Sequence, residues 1–142
     1  MTAQPSFIHL RVHTEYSLVD GLVRVKSLMP AVEAGGMPAV ALTDQSNLFA
    51  MVKFYRAAMA AGIKPIVGVD VWLDNDQEAG KPSRLVLLCR TNQGYANLTE
   101  LVSRCFLEGQ HQGIPILKKA WLEGRTDGLI ALSGGREGDL GQ

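Results

Sequence analysis

Short apolar runs alternate with longer amphipathic segments along this chain, and this alternation constrains its fold more than any other feature. Several of the runs are apolar at consecutive positions, which is typical of strands covered on both faces in a parallel sheet. The order β-α-β-α-β-β-α-(α)-β predicts an α/β fold with mostly parallel strands joined through right-handed crossovers. The predicted strands are Phe7–Val12, Pro38–Leu42, Pro65–Leu73, Leu85–Cys89 and Gly128–Leu132.

The segments between the strands have the spacing of amphipathic helices. The predicted helices are Ser27–Ala34, Asn47–Ala61, Gln93–Phe106 and the shorter Leu117–Glu123. Pro30 fits the first helix only within its first turn, where amide hydrogens have no partners. In the second helix, larger apolar residues recur at intervals of three and four and predict its buried face: Leu48, Met51, Val52, Tyr55 and Met59. The polar segment Asp74–Ser83 predicts a loop or a hairpin tip, and Glu108–Pro115 predicts a second loop.

The chain is too short for a complete barrel of alternating strands and helices. Such a barrel needs about 250 residues, whereas this chain has 142. The stretch Gly134–Gly138 begins a loop after the last strand, and the chain stops at Gln142. We therefore expect residues 1–142 to be the amino-terminal portion of a larger domain. An open sheet edge invites pairing between chains, so dimerisation is also expected.

The composition excludes several classes of protein. With 46% hydrophobic residues, the chain can bury a core and is not expected to be disordered. Its 14 basic and 14 acidic residues leave no net positive charge for direct binding of nucleic acid. Met1–Pro5 carries no secretory signal and no apolar run could span a bilayer, which predicts a cytoplasmic protein without membrane contact. Cys89 and Cys105 are too few for a zinc knuckle and predict buried, reduced thiols.

Polar residues that could carry chemistry lie at the ends of the predicted strands. On a strand, His9, Arg11 and His13 share one face because side chains alternate. Asp44 follows the second strand, and Asp70 lies on the third. Imidazoles and carboxylates that converge from strand ends are typical of a site for divalent metal ions.

The same residues also allow a purely structural interpretation. His13 could be a histidine with a structural hydrogen-bonding role, and Asp20 with Gly21 could form a simple turn. Asp44 could cap the helix that follows it. Spacing and composition leave both interpretations open.

Several runs of the chain are similar to motifs of a known family. These runs are residues 7–21, 37–44, 52–55, 62–68, 92–98 and 128–135. In the same order, and over nearly the whole chain, they resemble the amino-terminal PHP domains of bacterial DNA polymerase III alpha subunits. This domain type is named for polymerase and histidinol phosphatase. The resemblance implies part of a distorted (β/α) barrel, with the polymerase palm, fingers and thumb absent from these residues.

The chain departs from the family pattern where family members with an intact site have metal ligands. Arg11 stands in place of the first histidine of a His-x-His motif, and Gln45 in place of the histidine of Thr-Asp-His-Gly. Asp70 replaces a glutamate, Arg84 a histidine and Gly135 a cysteine. The expected ligands that persist are His13, Asp20 and Asp70.

Arginine has no lone pair to give a metal and stays charged at accessible pH. Our hypothesis is that Arg11, and with it Arg84, replaces the lost metal charge by pairing with Asp20, Asp44 or Asp70. The resemblance thus implies a degenerate pocket without metal, cofactor or catalytic residue. Its positions are His9, Arg11, His13, Asp20, Asp44, Gln45, Asp70, Arg84 and Gly135.

The function implied by the resemblance is a structural one within a replicative DNA-directed DNA polymerase. The domain would support the remainder of the alpha subunit and dock the proofreading exonuclease epsilon subunit. Nucleotide transfer with magnesium would take place in a palm domain outside this chain. The alternative is an active metal-dependent phosphoesterase, either a 3′–5′ exonuclease or a pyrophosphatase, which needs intact ligands. Candidate partner surfaces are Trp72, Trp121 and the loop Glu108–Pro115.

Overall fold

The computed structural model of this chain describes residues 7–76, 78 and 80–141. The interpretation of Met1–Pro5 and the chain end at Gln142 fall outside these residues, and the predicted loop Asp74–Ser83 is described only in part. The strands are β1 (Ala39–Leu42), β2 (Lys64–Leu73), β3 (Ser83–Cys89), β4 (Gln110–His111), β5 (Ile114–Leu117) and β6 (Leu129–Ser133). The helices are α1 (Val25–Ala34), α2 (Met51–Ala60) and α3 (Asn92–Glu108), with 3-10 turns at Glu15–Ser17, Lys119–Leu122 and Gly135–Glu137.

β2 is the central strand of a mixed, open sheet, which confirms the α/β class and the incomplete barrel. One edge of β2 pairs in parallel with β1 and then with β5, and the other edge pairs antiparallel with β3. β3 also pairs antiparallel with β6, and β4 with β5, so among the six strands only the pairs β1–β2 and β2–β5 are parallel. The sequence predicts mostly parallel strands, and the connection between β2 and β3 explains why these two are antiparallel. Parallel neighbours need a crossover of about a dozen residues or more. A short polar loop instead returns the chain as a hairpin.

The segment Glu108–Pro115 contains a second hairpin where the sequence predicts a loop. β4 and β5 pair antiparallel on either side of Gln112 and Gly113. Both turn residues have positive φ, 51° and 82°, as in the two-residue turns that match the twist of a hairpin. The loop prediction is therefore wrong for the paired residues. The helix predicted at Leu117–Glu123 is also shorter, a 3-10 turn at Lys119–Leu122.

The first predicted strand, Phe7–Val12, is an irregular segment that lies beside β1. The amides of Ala41 and Thr43 donate to the carbonyls of His9 and Val12 at 2.9 and 3.0 Å. Between these two hydrogen bonds the segment runs three residues, from His9 to Val12, whereas the partner runs only two, from Ala41 to Thr43. One extra residue on one side of a strand pair is a β-bulge. The alternation of side chains is broken there, so His9 does not share the face of Arg11 and His13. Its ring instead packs edge-on against Phe7, with centroids 4.8 Å apart.

α2 buries the face opposite to the one that its large apolar residues predict. Phe54 and Ala58 are fully buried against α1 and β1, whereas Val52, Tyr55 and Met59 are exposed. The prediction from periodicity is therefore wrong for these three residues. Small alanines let the helix approach the core closely, and Phe54 fills the space between α1 and β1. The buried members of this first cluster are Val25, Leu28, Met29, Val32, Val40, Leu42, Ala50, Phe54, Ala58 and Ile63.

α1 begins two residues earlier than predicted, at Val25. Pro30 is consequently the sixth helical residue and does not lie in the first turn. Its side chain faces solvent, away from the buried Leu28 and Met29. The missing amide therefore falls on the exposed side of the helix, where water can bond the freed carbonyl.

α3 covers the β2–β3 part of the sheet and builds a second core. Leu98, Leu101 and Cys105 pack on Val69, Leu87 and their buried neighbours. The Thr91 hydroxyl caps the helix by accepting a hydrogen bond from the Gly94 amide at 3.1 Å. Cys105 is buried and Cys89 half-buried, both as free thiols. Burial raises the pKa of each thiol to about 11, so both stay protonated at neutral pH.

Candidate functional site

The carboxylate of Asp70 is the centre of a charged cluster at the middle of β2. Asp70 is fully buried, and its Oδ2 accepts hydrogen bonds from Arg11 Nε at 2.7 Å and His13 Nε2 at 2.8 Å. Backbone bonds beside it join Asp70 to the extension of β1, since its amide donates to Asp44 O and its carbonyl accepts from Ser46 N. The sheet therefore holds the Asp70 carboxylate beside two cationic side chains, Arg11 within the bulge and His13 just after it.

His13 bridges two carboxylates. Its Nδ1 lies 3.0 Å from both carboxylate oxygens of Asp20, while its Nε2 lies 2.8 Å from Asp70. The hydrogen bond to Asp70 raises the pKa of His13, desolvation opposes this, and the charges of Asp20 and Asp70 raise the pKa further. With an acceptor at each ring nitrogen, the protonated imidazolium is the form that fits.

Arg84 closes the cluster from β3, where it pairs with Trp72 of β2. Its guanidinium stacks on the Trp72 ring at 3.8 Å from the centroid. Its Nη1 lies 3.7 Å from Asp70 Oδ1, its Nη2 3.8 Å from Asp20 Oδ2, and its Nε 3.6 Å from Glu137 Oε2. Only 11% of the side chain is exposed. We call these six residues the Asp70 cluster: Arg11, His13, Asp20, Asp70, Arg84 and Glu137.

Asp44 lies close to the Asp70 cluster, but its side chain forms hydrogen bonds with Thr14 and Ser17. Its carboxylate is buried and accepts hydrogen bonds from the amide and hydroxyl of Thr14 and from the hydroxyl of Ser17. The Ser17 hydroxyl in turn accepts from the amide of Gln45 at 3.0 Å. Asp44 thus anchors the 3-10 turn that follows His13 and fixes the direction in which the His13 side chain enters the cluster.

The remaining predicted positions lie around the cluster. Gln45 donates from its side chain to the backbone carbonyl of Asp70 at 3.1 Å. Gly135 has a φ of +64° in the last 3-10 turn, with open space where a Cβ would stand. His9 is exposed and lies with Phe7 outside the cluster.

Sequence reasoning missed three residues of this region: Thr14, Ser17 and Glu137. The spacing of Thr14 before a short turn is a capping signal, since its hydroxyl accepts from the Tyr16 amide at 3.2 Å. For Glu137 the local sequence carries no comparable signal. It reaches Arg84 only because the chain beyond β6 folds back against β3, with Gly138 bridging to Arg84.

Neither tryptophan offers an exposed partner surface. Trp121 is buried in the second core, with Arg104 over its ring at 4.5 Å. Trp72 is half-buried beneath Arg84. Of the three predicted surfaces, the β4–β5 hairpin alone is largely exposed, at residues 110–114.

The donor atoms of the cluster do not fit a divalent metal ion. Oδ2 of Asp70 is held by two cationic donors, and both nitrogens of His13 face carboxylates. Arg11 and Arg84 supply positive charge and no lone pair. Across the described ranges no three His, Cys, Asp or Glu side chains are placed to hold a metal ion. In this arrangement the cationic and anionic side chains of the cluster face one another, while Asp70 Oδ1 and Arg84 Nε and Nη1 have no hydrogen-bond partner within the described residues.

Comparison with known proteins gives the family. A model of the PHP domain matches residues 9–142. DNA polymerase III subunit alpha of Pseudomonas aeruginosa is 58% identical over 136 residues, which cover 96% of this chain. The same subunit of Escherichia coli K12 is 46% identical over 140 residues, or 99% of this chain. The chain spans only 12% of the length of each of these relatives.

The fold is also similar to that of a solved structure. A crystal structure of a candidate metal-dependent phosphoesterase from Bifidobacterium adolescentis superposes with a TM-score of 0.55 at 13% identity. The match covers 71% of this chain and 34% of that one. At this identity the likeness concerns the fold alone. Family model, relatives and fold agree: the chain belongs to the PHP domain family.

Proposed function

We propose that this chain is the PHP portion of a DNA polymerase III alpha subunit and that it acts as a structural scaffold without metal-dependent catalysis. The observation that supports this most directly is the buried Asp70 carboxylate, which is bonded to Arg11 and His13. The identity to relatives named DNA polymerase III subunit alpha supports the assignment to that subunit. Polymerisation itself, and the magnesium it uses, belong to parts of such a subunit outside this chain.

The charges of the Asp70 cluster balance. Two arginines and a protonated His13 face three carboxylates, and the central carboxylate is fully buried. A buried charge without a partner is strongly destabilising, whereas a paired and hydrogen-bonded one is tolerated. The cluster joins the 11–20 segment, β2, β3 and the turn at Glu137. Arginine and histidine thus neutralise the carboxylates that a metal would otherwise neutralise.

Metal binding is the direct test of this proposal. Calorimetric titration of the chain with zinc or manganese should show no stoichiometric binding, and chelation should leave its melting temperature unchanged. The triple variant Arg11→His/Gln45→His/Arg84→His restores imidazoles and is the matched comparison. Tight stoichiometric binding by the wild-type chain would contradict the proposal. So would manganese-dependent phosphodiesterase activity that Asp70→Asn abolishes.

The second part of the proposal is a partner, the proofreading exonuclease epsilon subunit, which would dock on this scaffold in the cytoplasm. None of the helices in the described ranges is long and apolar enough to cross a membrane. Surface plasmon resonance with the purified exonuclease subunit tests the docking. We expect saturable binding that survives chelation of metals, because the proposed scaffold needs none. Lack of binding would reject the docking role and leave the ion-pair assignment standing.

A further inference from the structure

α2 has a second apolar face that lies in solvent. Val52, Tyr55 and Met59 are 61%, 47% and 58% exposed, and Phe49, in the turn before the helix, is 69% exposed. Their spacing of three and four places them in a row along one side of the helix. We call these four residues the α2 stripe. An exposed row of large apolar side chains on a helix is typical of a surface that binds another protein segment.

A cleft of about 360 Å³ continues the α2 stripe sideways across the sheet. Tyr55 belongs to both, and Tyr95 of α3 is part of the cleft lining. Residues of α2, β2 and β3 supply the other apolar contacts: Met51, Pro65, Val67 and Cys89. The exposed apolar surface therefore runs from α2 to the first turn of α3.

Unpaired positive charge borders this surface. The sequence contains no aspartate or glutamate between Asp44 and Asp70, nor between Glu78 and Glu100. Arg56 follows Val52 by one helical turn on one flank of the α2 stripe, and Arg90 lines the cleft on the other flank. Within the described ranges, the guanidinium groups of these two arginines form no ion pair and no hydrogen bond, in contrast to those of Arg11 and Arg84.

We propose that the α2 stripe and its cleft bind an acidic amphipathic segment of a partner protein. Large apolar side chains of that segment would pack on Val52, Tyr55 and Met59, and its carboxylates would face Arg56 and Arg90. Charge complementarity selects an acidic segment, because the surface has cations on both flanks and no carboxylate of its own. The inference rests on the docking role proposed above and shares no residue with the Asp70 cluster.

Single-stranded nucleic acid fits the same surface less well. Such ligands are held by successive aromatic platforms along a strongly basic groove. In the α2 stripe the aromatic rings of Phe49 and Tyr55 are separated by Val52, Met59 ends the row, and the whole chain carries no net charge. A mixed apolar row between cations is instead what an amphipathic helix with acidic flanks complements.

The test is a selection of helical peptides from a displayed library on the 142-residue chain, with Val52→Glu/Met59→Glu as the counter-target. We expect selected peptides to be acidic and to carry large apolar residues at helical spacing. Their Kd should rise by about tenfold or more in the double variant. The Kd of these peptides should also rise in Arg56→Glu, which reverses a flanking charge, and with added salt, which screens it. Val19→Glu is the matched control at another exposed apolar position and should leave the Kd unchanged; circular dichroism checks that all variants are folded.

Other results would overturn the inference. These are a selection with no peptide that prefers the wild-type chain, enrichment of basic peptides, or an oligothymidylate probe that binds at the α2 stripe more tightly than the best peptide. Equal binding of the exonuclease subunit to the wild-type chain and to the double variant would also reject this surface while the docking role stands. Conversely, acidic peptides that bind at the α2 stripe while the exonuclease subunit fails to bind would reject only the docking role.

Discussion

Asp70 holds a buried carboxylate between cationic side chains in the middle of the sheet. Its Oδ2 is shared by Arg11 and His13, and Arg84 lies 3.7 Å from its other oxygen. Because guanidinium groups carry permanent charge, this neutralisation does not depend on the concentration of any metal. Under the proposed scaffold role, these contacts keep the shape of the site without a metal, since arginine offers no lone pair.

Removal of the central charge should destabilise the fold. In Asp70→Asn, three cationic groups lose their shared buried partner, and we expect a loss of about 3 kcal/mol in the free energy of unfolding. Urea denaturation followed by circular dichroism measures the loss. Asp127→Asn, at an exposed position, is the matched control and should stay within about 0.5 kcal/mol of wild type. Equal effects of the two substitutions would show that the cluster adds nothing to stability.

The stability of the chain should depend on pH through His13. Its pKa is raised in the folded state, chiefly by the hydrogen bond to Asp70, so the native state binds the proton more tightly than the unfolded state. The resulting stabilisation is fully present below the unfolded value of 6.5 and is lost as pH rises from there through the raised pKa. In the wild-type chain, the urea concentration at the unfolding midpoint should fall as pH rises across this range. His13→Gln should flatten the curve, whereas His111→Gln, in the exposed β4, should not.

At the scale of elements, α2 is the clearest case in which packing overrides the strongest local pattern. The helix has two apolar faces, one of Phe54 and alanines and one of Val52, Tyr55 and Met59. Periodicity alone favours the face with more large apolar side chains for the core. The observed burial of Phe54 and Ala58 follows from the close approach of α2 to α1 and β1.

Two neighbouring substitutions distinguish these faces. Phe54→Ala should lower the free energy of unfolding by about 4 kcal/mol, because it leaves a cavity in the first core. Tyr55→Ala should change it by far less, because Tyr55 is 47% exposed and belongs to none of the buried clusters. Denaturation curves of the two variants make the comparison. A larger effect at Tyr55 than at Phe54 would restore the orientation predicted from periodicity.

At the scale of the whole molecule, the sheet remains open within the described residues. Its strand order runs from β4 through β5, β2 and β3 to β6, so β4 and β6 have unpaired outer edges there. β4 is only two residues long, whereas β6 has five and is partly exposed. Short edge strands resist pairing with other chains, and longer ones invite it.

We therefore predict that isolated copies of this chain dimerise through β6. Multi-angle light scattering should show a mass that rises with concentration. Ala131→Pro removes a backbone donor in the middle of β6 and should shift the equilibrium towards the monomer. Lys118→Pro is the comparison, because Lys118 is exposed and its φ of −82° is compatible with proline. A monomer at all accessible concentrations would reject this prediction.

Much of the fold could be predicted because the relevant signals are local. The bounds of β2, β3 and α3 follow closely from apolar runs and capping residues, and Thr91 does cap α3. The same reasoning predicts a site at strand ends, whereas Asp70 lies within β2. The bulge between His9 and Val12 left no comparable signal, because it depends on hydrogen bonds to β1 some thirty residues later along the chain.

The sequence by itself determined the α/β class, most elements and the residue types of the pocket, since all of these are written in neighbouring positions. Only the tertiary structure decided that Asp70 pairs with Arg11 across 59 residues, and that Asp44 anchors a turn instead of joining the cluster. It also decided that α2 buries Phe54 and turns Val52, Tyr55 and Met59 outward. The physical reason is that pairing and burial are set by which segments meet in space. Local periodicity does not predict which partner a residue binds when several are possible. Nor does it predict which face of a helix is buried when the helix has more than one apolar face.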